Sequence, residues 1–284
     1  EEIADGLLEK GLRDGGMDLI EAYAFPLPVI VIAEMLGVPA EDRAKFRGWS
    51  NAMAAAMDAH WSEEIDRQAN QATGEIWEYL SHIIDLRSQD PGPDLLSALI
   101  DASESGDRLT HDELVAMAIL LLVAGHETTV NLIGNGTLAL LRHPEQMELL
   151  RREPGRMAHA VEELLRYDAP VQMTGRIARV DVPLGDKLIR KGDAVSIFLG
   201  AANRDPEVNP DPDRLDIARA EIHHCGFGGG IHYCVGAPLA RREAQIALAT
   251  LLARAPGLRL AGDKPAWRPG VVFRGLANLP VEIG

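Results

Sequence analysis

The chain has 284 residues, 46% of them apolar and 25% charged, enough for one large core or two smaller ones. A formal net charge of −15 argues against a nucleic-acid partner, because a phosphate backbone demands a basic footprint. Two cysteines cannot build a disulfide framework, the longest apolar run (Leu114 to Ala124) is too short to span a bilayer, and no charged-then-apolar leader is seen, which together predict a soluble, cytoplasmic protein. The acidic surplus sits in residues 1–150, with 9 Lys/Arg against 27 Asp/Glu, whereas residues 151–284 hold 19 against 16. The opening Glu-Glu-Ile has no initiator methionine and reads as a fragment or a processed product.

Up to about residue 168 the pattern is helical. The run "VIVIAEMLGVP" closes on Gly37 and Pro39, a glycine stop followed by a breaker. Helices follow over residues 40–60 and 62–89, the latter ended by "DPGPD". The longest opens with a capping box, Thr110 with Glu113, and runs to His143 before Pro144. At 1.5 Å per residue it is roughly 50 Å long, and its middle is apolar on every side, which predicts a central buried helix. After Tyr167 the chain alternates, and "RIARVDVPLGDKLIRKGDAVSIF" reads as short strands joined by tight turns. A proline-rich coil from Arg204 to about Cys225 is long enough to expect a function for it. "LARREAQIALATLLARAPG" is again a helix, and short strands finish the chain. The expectation is a mainly helical α+β fold in a single domain. Its helical core covers about 1–168, and a β-rich part with the cysteine loop covers about 169–284.

Three stretches carry chemistry. In "FGGGIHYCVGAPLAR", Phe227 to Arg241, Cys234 precedes a helix whose unpaired amides and dipole favour a thiolate, a form able to ligate a metal. The glycines ahead of it remove side chains where a flat cofactor would meet backbone, and His232 can bond a carboxylate. The plain alternative is a buried structural cysteine. Another is a zinc site drawn from His223, His224, Cys225, His232 and Cys234, although the spacing fits no common zinc pattern. In "AGHETT", Gly125 weakens the long helix, Thr128 can bond back to Ala124, and Glu127 adds a carboxylate; a groove for an oxygen ligand and close helix packing explain this equally well. "EELLR" sets Glu163 and Arg166 on one helical face, a spacing common on ordinary helices. Arg176 and Arg204 are unremarkable alone.

The ordered set "AGHETT", "EELLR", "TGRIA", "NRDP", "FGGGIHYCVGAPLAR" and "FRGLANLPVEI" resembles the soluble bacterial branch of the cytochrome P450 family, in register along the whole chain. The resemblance implies the helical fold of that family and a haem b (iron protoporphyrin IX) whose iron takes Cys234 as proximal ligand. Phe227, Gly228 and Gly236 would line the proximal loop, with Arg176 and His232 on the propionates. Ala124 and Gly125 would open the distal groove, Glu127 and Thr128 would manage oxygen and protons, and Glu163, Arg166 and Arg204 would form a buried structural triad. The family's helices ahead of the point where this chain opens would add propionate contacts and a substrate-covering loop. Leu121, Leu122, Val171, Met173, Val272 and Phe273 are candidate walls for a hydrophobic substrate. The implied reaction inserts one atom of O2 into that substrate, with electrons from NAD(P)H through a ferredoxin and its reductase. Arg241, Arg242 and Arg254 are the candidate docking charges for that donor. A peroxide-driven haem-thiolate enzyme, an inactive fragment and a zinc-stabilised binding module are the alternatives.

Overall fold

The computed structural model describes residues 1–58, 62–105, 109–262 and 264–283. Helix α1 (Glu2–Asp14) turns into a short strand β1 (Gly16–Asp18), and a π-helical turn at Ile20–Ala24 leads into α2 (Pro26–Met35). The stop at Gly37 falls where the sequence places it. Next come α3 (Arg43–Ala56), α4 (Glu63–Gln89) and α5 (Leu95–Ser105); Ala59 and His60, at the end of the helix expected over residues 40–60, lie outside the described residues. Ser62 caps α4 by accepting from the Ile65 amide at 3.1 Å.

Helix α6 (His111–Arg142) organises the rest. Its capping box closes in both directions, the Glu113 amide donating to Thr110 Oγ1 at 3.3 Å and the Thr110 amide to Glu113 Oε2 at 2.7 Å. All residues from Thr129 to Leu140 are buried, and α6 contributes to three apolar clusters. One lies with α2 to α5, one with α1 and the chain's last strand, and one with α7 (Pro144–Arg152) and α8 (Met157–Tyr167). Among the described residues it is the one helix apolar and long enough to cross a bilayer, yet 61% of its most apolar window is buried inside the fold. Its hydropathy is that of a core helix.

Beyond α8, strand β2 (Met173–Ile177) pairs antiparallel with β5 (Ala194–Phe198), Met173 opposite Phe198 and Ile177 opposite Ala194. Between them β3 (Val182–Leu184) and β4 (Lys187–Ile189) form the hairpin expected at "LGDK". A one-turn helix α9 (Leu199–Ala202) leads to the long coil, and α10 (Ala237–Arg254) follows the cysteine loop. Strands β6 (Arg259–Leu260) and β7 (Pro280–Glu282) close a sheet with β1 in the order β1-β7-β6. The expected division near residue 168 is therefore crossed twice: β1 pairs with the last strand, and α10 packs on α6 and α8.

The coil from Arg204 to Cys225 is ordered by buried polar groups in place of a ladder. Asn203 Oδ1 accepts from the Cys225 amide at 2.7 Å, and Asn209 Nδ2 donates to the His223 carbonyl at 2.9 Å. Such pairing lets irregular backbone be buried without stranding its amides.

Candidate functional site

The cysteine loop is a sequence of tight turns. The Gly228 amide donates to Cys225 O at 2.8 Å, that of Cys234 to Phe227 O at 3.0 Å, and that of Ala237 to Cys234 O at 3.2 Å. Gly228 and Gly230 sit at φ of +68° and +63°, which excludes side chains there, whereas Gly229 is extended. Two of the three consecutive glycines are thus required by the backbone. The turns leave Cys234 just ahead of the first turn of α10 (Ala237–Arg254).

The loop is clamped to α8 by a residue absent from the candidates above. Glu162 accepts from Arg241 Nε and Nη2 at 2.7 and 2.9 Å and meets His224 Nε2 at 2.9 Å. Arg241 lies 4.4 Å from the Phe227 ring centre and donates to the Tyr233 hydroxyl. Burial pushes the Glu162 carboxyl up, but His224 and Arg241 outweigh it and hold the pKa at about 2. The signal was the doubled glutamate of "EELLR", whose two carboxylates serve different neighbours.

Opposite the loop, the cavity face of α6 carries Ala116, Ile119, Leu120, Val123, Ala124, Glu127 and Thr128, the three-and-four spacing of one helical side. Thr128 bonds back to Ala124 O at 3.3 Å as expected and Thr129 does the same to Gly125 O at 3.3 Å, within a helix that runs unbroken from His111 to Arg142. Glu127 is buried, not exposed, and pairs with Arg268. The remaining polar residue of the motif is structural: His126 bonds Ser50 Oγ at 2.6 Å and Leu122 O at 2.9 Å, and burial holds its pKa down.

One cavity of about 600 Å³ brings both walls together. Cys234, Phe227, Gly228, Gly236 and His232 line it from the loop, Ala124, Gly125, Glu127 and Thr128 from α6, and Arg176 with Val171 and Phe273 from the strands. Four pocket candidates do not line it. Leu122 is buried in the core with α2 to α5 and Leu121 packs on the same core, because both turn away from the 120/124 face. On β2, Thr174 and Arg176 share the cavity face, so alternation turns Met173 the other way. Val272 accepts from the Gln172 amide, while its neighbour Phe273 bridges Val171 and does face the cavity.

The buried triad also needs a correction. Arg166 and Glu163 form a two-pronged pair with 0% side-chain exposure, at 2.7 and 2.8 Å. Arg204 does not reach it; its guanidinium donates to Tyr167 O at 2.6 Å, stacks on the Tyr167 ring and pairs with Asp213. The third member is Arg219, Nε 3.3 Å from Glu163 Oε2, brought in as the coil folds back. The chain at Asn203 does lie beside the pair, its carbonyl accepting from Arg166, but the Arg204 side chain is taken up by Tyr167 and Asp213.

The zinc reading finds no support in the donor geometry: among the described residues no three His, Cys, Asp or Glu side chains converge, and His224 is committed to Glu162. Of the docking arginines, Arg241 is held by Glu162 and Arg254 by Asp5 and Glu9, leaving Arg242 exposed.

Sequence reasoning also missed Glu243, on α10. It is buried with Oε2 unpartnered, and burial, only partly offset by a Thr129 hydrogen bond, raises its carboxyl from 4.5 to about 7. The folded state therefore holds this proton more tightly than the unfolded chain, and stability drops as pH rises from about 4.5 to about 7. At about 1.4 kcal/mol per tenfold change in proton affinity, Glu243→Gln should be the more stable protein at pH 8 by a few kcal/mol. Thermal melts should show that advantage vanishing near pH 4.

A family model described as "Cytochrome P450" matches residues 46–254. The chain is 48% identical to cytochrome P450 107B1 of Saccharopolyspora erythraea, over 100% of its own length and 69% of that protein's. It is also 48% identical to vitamin D(3) 25-hydroxylase of Pseudonocardia autotrophica, covering 100% of itself and 70% of the relative. The solved structure of P450BioI, in complex with an acyl carrier protein ligated to hexadec-9Z-enoic acid, superposes with a TM-score of 0.96 at 43% identity, over 100% of this chain and 73% of that one. With the cysteine loop, the acid-and-alcohol helix and the buried Glu163–Arg166 pair in one fold, these matches establish that the chain belongs to the cytochrome P450 family.

Proposed function

We propose that this haem-thiolate monooxygenase uses Cys234 as its iron ligand and Glu127 and Thr128 as its proton-handling pair, on haem b. The supporting observation is the single cavity that has the thiol on one wall and the acid and alcohol on the other. The donor set fits the group: among the described residues Cys234 is the one cysteine that lines the cavity and no three His, Cys, Asp or Glu side chains converge, which suits a metal that arrives with its own nitrogen ligands. Two groups able to take its carboxylates line the same cavity, Arg176 and His232. Arg176 pairs with no carboxylate among the described residues; its Nη1 donates to Thr174 Oγ1 and to the Gly175 carbonyl. When bound, haem with a thiolate ligand supplies the reductive splitting of dioxygen, one atom entering the substrate and the other leaving as water.

The chain's residues perform the remainder. Cys234 brings its sulfur just ahead of the first turn of α10, and Phe227, stacked by Arg241, lines the cavity with it. Glu127 and Thr128 hold and pass protons at the carboxyl and at Oγ1, two protons being consumed per turnover. Ala124 and Gly125 keep the α6 wall low. Met53, Met57, Val171, Leu199 and Phe273 make the cavity largely apolar, which selects a hydrophobic substrate and excludes bulk water. A ferredoxin and its reductase deliver the two electrons from NAD(P)H, and Arg242 is the exposed cation of α10 nearest the loop in sequence.

The test is turnover under 18O2 with NADPH, ferredoxin and reductase, using vitamin D3 and hexadec-9Z-enoic acid as probes. The expected product carries one labelled oxygen and requires the donor proteins. Turnover driven by peroxide alone, with no dependence on ferredoxin, would favour the peroxide-using alternative.

A further inference from the structure

Another cavity, of about 350 Å³, shares no lining residue with the one at Cys234. It sits among the end of α6, the end of α8, the start of the coil and the closing arm of the chain, residues 266–277. The arm folds on itself, the Ala277 amide donating to Ala266 O at 2.7 Å and the Arg268 amide to Gly275 O at 2.9 Å. It is fastened here through the Arg274 backbone, whose amide donates to Pro170 O at 2.8 Å and whose carbonyl accepts from Asn135 Nδ2 at 2.9 Å. Three guanidiniums thereby line one small space: Arg142 from the last turn of α6, Arg204 from the coil and Arg274 from the arm.

The carbonyl end of α6 would by itself repel an anion, so any attraction has to come from side chains. Against the three guanidiniums the cavity sets one carboxylate, Asp168, whose Oδ1 accepts from Arg274 Nε at 2.5 Å. Arg204 pairs instead with Asp213, whose side chain is 88% exposed, and Arg142 makes no ion pair among the described residues. Arg166, on the same lining, is committed to Glu163. Positive charge is therefore left over. Burial lifts the Asp168 carboxyl above its ordinary value although Arg274, Arg204 and Arg142 all act against that. Such a poorly solvated site is one where charged hydrogen bonds are strong. The cavity also wants a donor: Asn135 is 1% exposed and its Oδ1 has no partner among the described residues, which favours an occupant able to donate to it.

We propose that this cavity binds inorganic phosphate, with Arg142, Arg204 and Arg274 on its oxygens and its hydroxyl donated to Asn135 Oδ1 or Asp168. The planar fork of arginine matches the oxygens of such an ion, and phosphate near neutral pH keeps at least one hydroxyl to donate. Other small anions fit less well. A carboxylate only accepts, and so does sulfate, so either would set its oxygens against those of Asp168 and Asn135. A phosphate monoester, with a second pKa of about 6, has mostly lost its hydroxyl at neutral pH. Bound phosphate joins three parts of the fold: α6, the coil that leads to the cysteine loop, and the arm, whose Phe273 lines the Cys234 cavity.

The test is titration calorimetry of the haem-loaded enzyme at neutral pH and constant ionic strength, with sodium phosphate, sodium sulfate and adenosine 5′-monophosphate as probes. Phosphate should bind saturably, and sulfate and the monophosphate each at least about tenfold more weakly, because a site that pairs with a hydroxyl penalises an ion lacking one. Arg142→Gln should lower the affinity for phosphate about tenfold, and Arg142→Lys should fall between it and wild type. Arg142 is exposed, so both variants should melt as wild type does without phosphate, and added phosphate should raise the melting temperature of wild type more than that of Arg142→Gln. Arg242→Gln, which alters a charge outside this cavity, should bind phosphate as wild type does. No saturable binding of phosphate would overturn the proposal, as would an affinity untouched by Arg142→Gln. Sulfate or the monophosphate binding as tightly as phosphate would overturn the assignment of the occupant.

Discussion

Cys234→Ser is expected to reduce monooxygenation to background and to remove the spectral signature of a thiolate-ligated haem. Among the described residues Cys234 is the one cysteine that lines the cavity, so no neighbouring thiolate can replace it. Serine at this place would be a neutral hydroxyl at physiological pH, lacking both the charge that α10 stabilises and the electron donation that favours O–O cleavage. The substitution is nearly isosteric, and Phe227 O still receives the amide of residue 234, so the loop itself should survive. Cys225→Ser is the control. That thiol is exposed, and its residue serves the fold through backbone bonds to Asn203 and Gly228, so haem content and spectrum should match wild type.

Glu163→Ala should be the most destabilising single change outside the cavity. It strands the Arg166 guanidinium at 0% exposure and also removes the acceptor of the Asp216 amide and of Arg219. Breaking such a pair costs about 3–5 kcal/mol, and the melting temperature should fall on the order of 10 °C. Arg166 donates in addition to the carbonyls of Asn203, Pro212 and Arg214, so the same pair anchors the coil that leads to the cysteine loop. Haem loss should therefore accompany the loss of stability. Arg204→Ala, which gives up a stacked and partly exposed contact with Tyr167, should cost about 1 kcal/mol or less. Equal effects of the two substitutions would contradict the assignment of Arg219 as the third member.

The features legible in the sequence were those fixed by local rules. The capping box at Thr110, the stop at Gly37, the hairpin at Gly185 and the glycines before Cys234 each follow from a backbone requirement within a few residues. The two walls of the cavity could be read because each motif is short and chemically dense. Features that depend on the chain returning to itself were not legible. Arg219 reaches Glu163 across 56 positions and Arg268 reaches Glu127 across 141, and each looks like an ordinary surface arginine until the coil and the arm are folded. The pocket candidates divided for a related reason. Val171 and Phe273 face the cavity because they bridge each other, whereas Leu121 and Leu122 were chosen for apolarity without regard to helical phase. Glu127, Asn131 and Asn135 were visible in principle as polar residues four apart on the long helix, all three buried.

The central claim is that Cys234 presents a thiolate to a haem iron across the cavity from Glu127 and Thr128. The absorption spectrum of the haem-loaded protein, reduced and treated with carbon monoxide, tests it most directly. The account predicts a strongly red-shifted Soret band that is lost in Cys234→Ser and kept in Cys225→Ser. A band at the position of a histidine-ligated haem, or one that survives in Cys234→Ser, would contradict it.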